Sequence, residues 1–216
     1  MQKKKLKAPF EAQFETSFET WSLEALAEKI KRCKKCRLWK TRNKAVPGEG
    51  NGKARLMIIG QAPGKQEDKT GRPFVGRAGF FLMNALKKFG KKRGDFFITS
   101  VLKCFPPKNR KPKQDELAAC LPYTLQQIAI IKPKAILLLG EIATKAILKK
   151  DFKTVRGKFV KFEGGVGIKN IHSICFVTYH PAMAMRFPDA RKIFFADLKN
   201  FFKKLKKSNK KLSQEK

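Results

Sequence analysis

Histidine is almost missing from this chain. Only two of its 216 residues are histidine, His172 and His180. Any step at neutral pH that needs an imidazole therefore has two places to happen. Acid is scarce as well: 17 Asp and Glu stand against 50 Lys and Arg, a net charge of +33. That balance disfavours cationic partners and favours polyanions, nucleic acid first among them; a lysine-rich surface kept for solubility is the other reading. No apolar run reaches the ~18–20 residues of a membrane span, and the start MQKKKLKAPFEAQFE has no apolar stretch of the secretory kind. Both absences point to a cytoplasmic protein. There is no internal repeat and no long Gly/Ser linker. With 42% hydrophobic residues, the chain has enough apolar side chains for a real core. Its length suits one α/β domain, or two small ones.

Residues 1–21 read as an arm, in which Phe10, Phe14 and Phe18 recur at helical spacing. Residues 22–204 form the main domain, and 205–216 a solvated basic tail. Four short apolar runs predict buried parallel strands: 55–59, 96–102, 135–139 and 174–179. Helical patterns fall at 22–33 with Ser22 as N-cap, 79–90, 114–131, 141–150 and about 190–207 behind Asp189. The alternating segment 152–167 reads as a hairpin. Strands alternating with helices predict a three-layer α/β/α sandwich around a four-stranded parallel sheet. In such sheets ligands sit at the carboxyl ends of the strands. Three unusual segments, 60–79, 103–113 and 180–188, follow strand ends and are expected to meet in one cleft.

Five cysteines in a reducing compartment read as ligands, buried thiols or catalysts rather than disulfides. Cys33 and Cys36 form a C-x2-C pair, which presents two sulfurs from one tight turn. Cys104 and Cys120 are placed to complete four-fold ligation, of zinc or of an iron–sulfur cluster. Cys175, inside SICFVTY, reads as a buried thiol. The stretch GQAPGKQEDKTGRPFVGRAG carries five glycines, two prolines, the acids Glu67 and Asp68, and one ring, Phe74. The acids suit catalysis; they equally suit helix capping or pairing with Arg72 or Arg77. His180, in YHPAMAMRFP, ends an apolar strand, either as a donor into a cleft or as a cap on the strand end.

Taken in order, CKKC, GQAPGKQEDKTGRPFVGRAG, ITSVLKCFPPKNRKP, Cys120 and YHPAMAMR resemble the type-4 uracil-DNA glycosylases, over about residues 22–204. The resemblance implies a DNA-repair hydrolase that cuts the N-glycosidic bond of uracil and leaves an abasic site, without lyase activity. It implies that Cys33, Cys36, Cys104 and Cys120 hold a structural [4Fe–4S] cluster, and that the chain acts as a monomer on DNA, associated with the nucleoid. Phe74 then stacks on the extruded uracil. Gly60, Gln61 and Ala62 approach the base, as do Ser100 and Asn109. His180 donates to uracil O2, and Glu67 is the favoured acid for orienting water or offsetting the sugar cation. Lys108 and Arg110 in the stiff PPKNRKPK loop hold phosphates, and one of Met183, Met185 and Arg186 wedges into the space the base leaves.

Two positions depart from the family pattern. Gln61 stands where a glutamate is usual, and Ser100 where an asparagine usually reads the uracil edge. Serine offers one hydroxyl in place of an amide pair. The departure opens three outcomes: uracil removal with relaxed selectivity, single strands included; a glycosylase for another deaminated base such as hypoxanthine or xanthine; or a non-catalytic iron–sulfur DNA-binding protein.

Overall fold

A computed structural model of the chain describes residues 21–164 and 171–214. The Phe10, Phe14 and Phe18 pattern lies outside the described residues. Ser22 caps the first helix, α1 (Leu23–Lys31), and its hydroxyl accepts from Ala25 N at 3.1 Å. Strand β1 (Leu56–Gly60) leads through α2 (Lys65–Thr70) and α3 (Arg77–Lys87) to β2 (Phe96–Ser100). Helix α4 (Gln114–Ile131), β3 (Ala135–Leu139) and α5 (Glu141–Leu148) follow. The chain closes with α6 (Phe152–Val155), β4 (Phe159–Lys161), β5 (Ile174–Thr178), α7 (Pro181–Arg186) and α8 (Pro188–Gln214).

The sheet order is β2-β1-β3-β5-β4. The first four strands pair in parallel, as their unbroken apolar runs predict, since both faces of each are covered. Alternate residues feed two cores. Met57, Ile59, Ile136, Leu138 and Val177 pack with Leu125 and Ile128 of α4 and Ile147 of α5. Ile58, Leu137 and Phe176 pack with Leu82 and Leu86 of α3 and Phe194, Leu198 and Phe201 of α8. This is the expected three-layer sandwich.

The predicted sheet of four strands gains a fifth. In the described part of segment 152–167, residues 152–164, the expected hairpin does not form: Asp151 accepts from Lys153 N and caps the short α6, and Gly157 at φ 70° breaks the pattern. Of those residues β4 alone becomes a strand, and it pairs antiparallel with β5. Residue 189 is not the cap of the last helix. Helix α8 begins at Pro188, a residue suited to a first turn, and Asp189 lies inside that turn. The same helix, expected to end near 207, continues to Gln214 because its lysine-rich end holds no glycine or proline.

The chain leaves β1 toward β2 on one side and reaches β3 on the other. That reversal opens a crevice at the carboxyl ends of β1 and β3, where open sheets of this kind bind ligands.

Candidate active site

A cleft of about 750 Å³ lies at those strand ends. Gly60 ends β1 beside Ser100, its partner at the end of β2. The absence of a side chain at Gly60 admits Phe74: a Cβ there would come within 2.5 Å of the Phe74 ring. Phe74 itself adopts φ 50°, a left-handed conformation that costs a bulky residue energy and is held only where its surroundings impose it. They do so through Arg93, which donates from Nη1 to the Phe74 carbonyl at 3.3 Å and from Nη2 to the Pro73 carbonyl. Glu49 fixes Arg93 at 2.6 Å and also takes Arg72 at 2.8 and 3.0 Å. Hydrogen bonds from Arg72 and Arg93 outweigh its burial and pull the Glu49 carboxyl down to about 2. Arg72 is thus spent on Glu49 and not on Glu67 or Asp68.

Those two acids have separate tasks. Asp68 is buried and accepts from the Asn43 backbone at 3.0 and 3.1 Å, tying down the preceding loop. Glu67 lines the cleft, and among the described residues it is the only carboxylate to do so. Its Oε2 accepts from Gly64 N at 3.0 Å, and its Oε1 from Val75 N and Gly76 N at 2.8 and 2.7 Å. A carboxylate offers about four acceptor sites. Three are taken, two by the backbone just after Phe74 and one by Gly64 at the start of α2, which leaves one for the cleft.

His180 enters from the other wall, as the N-cap of α7. Its Nδ1 accepts from Ala182 N at 3.2 Å, so the ring proton of the neutral imidazole sits on Nε2. Burial draws its pKa down to about 4, only partly opposed by the charge of Glu67. The ring is therefore a neutral donor at physiological pH. Gly140, at φ 86°, ends β3 so close to it that a Cβ would lie 3.0 Å from the His180 Cβ. The Phe74 and His180 ring centroids stand 6.1 Å apart, inclined at 32°. Both rings face one cleft, and one flat base can touch both.

Gln61, Ala62, Ser100, Asn109, Arg110, Met183 and Arg186 also line this cleft; Lys108 does not, nor does Gly60, which lies against the Phe74 ring. Among the described residues the Gln61 and Asn109 amides and the Ser100 hydroxyl have no side-chain hydrogen bond, so they remain available to a ligand. Lys108 and Asn109 take φ 55° and 54°, a sharp turn that directs Asn109 inward. Arg110 is engaged by the buried Glu116 at 2.6 and 2.9 Å, which braces the loop.

Cys33, Cys36, Cys104 and Cys120 surround a second, small cavity. Arg42 donates to Cys104 Sγ at 3.0 Å, Lys103 N to Cys120 Sγ at 3.2 Å and Lys35 N to Cys33 Sγ at 3.5 Å. Lys103 is 1% exposed, and its Nζ meets only neutral oxygens, of Thr99, Ser100 and Gln127, at 2.6–2.8 Å. Burial lowers its pKa to about 7 and raises that of Cys120 to about 12. A buried ammonium with no acid beside it fits thiolate ligands, whose negative charge would balance it. The four sulfurs thus suit a metal or cluster by donor type and by charge. Among the described residues no group of three or more His, Cys, Asp or Glu side chains is drawn together around a lone metal ion. Cys175 lies apart in β5, fully buried, as expected.

Arg93, Glu49, Lys103 and Gly140 were not foreseen. Glu49 lies in PGEGN, whose two glycines take positive φ, and that is the one local signal available.

The model of the uracil DNA glycosylase superfamily matches residues 47–206. A type-4 uracil-DNA glycosylase of Pyrobaculum aerophilum is 47% identical over 186 residues, covering 83% of this chain and 93% of its own length. One from Sulfurisphaera tokodaii is 48% identical over 185 residues, 82% of each chain. One from Thermotoga maritima is 39% identical over 190 residues, 84% of this chain and 95% of its own. With fold, cleft and likeness in agreement along most of its length, the chain belongs to the type-4 branch of the uracil-DNA glycosylase superfamily.

Proposed function

We propose that this protein is a monofunctional DNA glycosylase that removes uracil, the product of cytosine deamination, and leaves an abasic site for base excision repair. The observation that carries the reading is the pair Phe74 and His180, 6.1 Å apart on one cleft. In the reaction the C1′–N1 bond breaks with its electrons going to uracil, which departs as an anion with charge on its O2; a water oxygen bonds to C1′ and releases one proton to solvent, and the freed uracil takes up a proton from solvent. The neutral imidazole of His180 donates its Nε2 proton as a hydrogen bond to that O2 and keeps it. A donor aimed at developing charge contributes on the order of 3–4 kcal/mol. Phe74 stacks on the base, and Gly60, Gln61 and Ala62 bring backbone close to it. The free acceptor site of Glu67 faces the sugar cation or the attacking water. Three backbone donors keep this carboxylate in place, so it spends no reorganisation at the moment of reaction.

Asn109 and Ser100 face the base edge. Lys108, Arg110 and Arg186 face phosphates, and Met183 fills the vacated stack. Arg110 does so from its pair with Glu116, which leaves part of the guanidinium outward. Cys33, Cys36, Cys104 and Cys120 hold a [4Fe–4S] cluster, supported by the donors aimed at the sulfurs and by the uncompensated Lys103. When bound, the cluster serves as a structural crosslink between the segment after α1 and the loop after β2, since glycosidic hydrolysis moves no electrons. The protein works as a monomer in the cytoplasm, on the nucleoid. Among the described residues no helix is long and apolar enough to cross a membrane.

Ser100 supports a second reading, in which the base is hypoxanthine or xanthine. Labelled oligonucleotides carrying uracil, hypoxanthine or xanthine, treated with protein and then alkali, decide between them. Scission at uracil is expected. Scission only at a purine would move the specificity, and none at all would leave a DNA-binding protein without catalysis.

A further inference from the structure

Large apolar side chains are exposed at few places among the described residues: Trp39, Phe80, Met183 and Phe187. Trp39 lies beside the cysteine cavity. The other three lie on α3 and at α7, the two helices that pack together at the cleft mouth. Phe80 is 70% exposed and Phe187 47%.

Phe80 follows Arg77 by three residues and so shares its helix face. Long side chains on a helix lean toward its N-terminus, which carries the Phe80 ring toward Arg77 and the cleft that Arg77 lines. Across the mouth, the Arg186 guanidinium lies 6.0 Å from the Phe187 ring centre. Phe187 is thus paired with an arginine beside the pocket that takes the base, and Phe80 lies one helical turn from another that lines it, Arg77.

An apolar ring kept in water beside a cation needs a partner that is flat on one side and anionic on the other. An unpaired nucleotide is both. Inside a duplex the bases flanking an extruded nucleotide remain stacked on their neighbours, out of reach of a ring at the rim. In a single strand they are free. A second copy of the chain fits less well, since its own +33 charge opposes contact between two arginine-flanked patches.

We infer that Phe80 and Phe187 form a stacking platform for the unpaired bases next to the extruded nucleotide, which equips the active site for single-stranded DNA. The inference rests on the proposed glycosylase function, and its test separates the two. The kcat/KM for uracil removal is measured on a single strand and on the matching duplex, for wild type, Phe80→Ala and Phe80→Trp. Loss of one base–aromatic stack is expected to lower the Phe80→Ala rate ~10-fold on the single strand. It stays within about twofold on the duplex, and Phe80→Trp retains the single-strand rate. Phe80 is exposed, so neither variant disturbs the core.

The second measurement needs no turnover. A single strand carrying 2-aminopurine beside 2′-fluorodeoxyuridine, which resists cleavage, is titrated with each protein. Quenching by wild type and its loss in Phe80→Ala are expected. Equal quenching and equal single-strand rates in both overturn the platform while uracil removal stands. A change in sedimentation of Phe80→Ala with unchanged single-strand kinetics would make the patch a protein contact and likewise overturn it. Should wild type release uracil from neither substrate, the glycosylase reading fails, and the quenching still decides the platform.

Discussion

A Cβ placed on Gly79 would lie 2.0 Å from the carbonyl oxygen of Phe74. The start of α3 and the strained turn before it are thus fitted to each other with no room for a methyl group. From the opposite side Arg93 holds the same carbonyl, and Glu49 holds Arg93. The ring that stacks on the base is set by backbone pinned from two directions.

Arg93→Met should therefore act through Phe74. A hydrogen bond from a charged group is worth about 1.5–3 kcal/mol, and the loss in kcat/KM is expected to be ~10-fold or more. In a Phe74→Leu background the same change should cost much less, because the ring it positions is gone. Full additivity of the two losses would show that Arg93 acts elsewhere. Gly79→Ala, which must displace backbone, should lower stability by about 2–3 kcal/mol in denaturant titration.

The protonation state of His180 makes a prediction about pH. Its folded pKa, about 4, lies below the ordinary histidine value. The unfolded chain therefore binds the proton more readily. The group contributes its full stability above pH ~6.5 and loses it as pH falls toward 4. Catalysis by the neutral donor should be level from pH 8 to about 5 and decline only near 4. A kcat/KM profile that instead falls with a midpoint near 6.5 would mean that the imidazole titrates freely. His180→Ala should lower kcat by ~10²–10³.

The sequence made the sheet and the cleft readable for a physical reason. Runs such as AILLL and ICFV are apolar throughout because both of their faces are covered, and the residues that follow them must face the crevice. His180 stood out as a scarce imidazole just past such an end, and Phe74 as the lone ring of the glycine-rich segment that follows another. The contacts that support them did not stand out. Glu49 and Arg93 are 44 residues apart, and nothing in either neighbourhood names the other. Lys103 is one lysine in a chain crowded with them, and only burial sets it apart. Arg72 looked available to Glu67, but Glu49 lies beside it, and the backbone of Gly64, Val75 and Gly76 already fills three acceptor sites on Glu67. The hairpin expected at 152–167 rested on alternation alone, which cannot show that Asp151 and Gly157 interrupt it.

The cysteine centre is testable apart from activity. Purified protein should be brown and contain iron and sulfide. Cys120→Ser should lose both and melt at lower temperature, by about 10 °C if the ligation contributes ~3–4 kcal/mol at this size. A colourless wild type that holds zinc would replace the cluster with a single-ion site.

Ser100 carries the sharpest question of specificity. Its hydroxyl sits at the end of β2, beside Gly60 and within reach of the ring of Phe74 across that glycine. An asparagine there would fill more of the floor and offer both a donor and an acceptor to the base edge. Ser100→Asn should raise the ratio of kcat/KM for uracil over hypoxanthine by ~10-fold, because a purine loses space while uracil gains a paired contact. The rate at uracil itself should change less than the ratio. If the ratio does not move, the edge is read by the free amide of Asn109 or Gln61, and Asn109→Ala should then lower it.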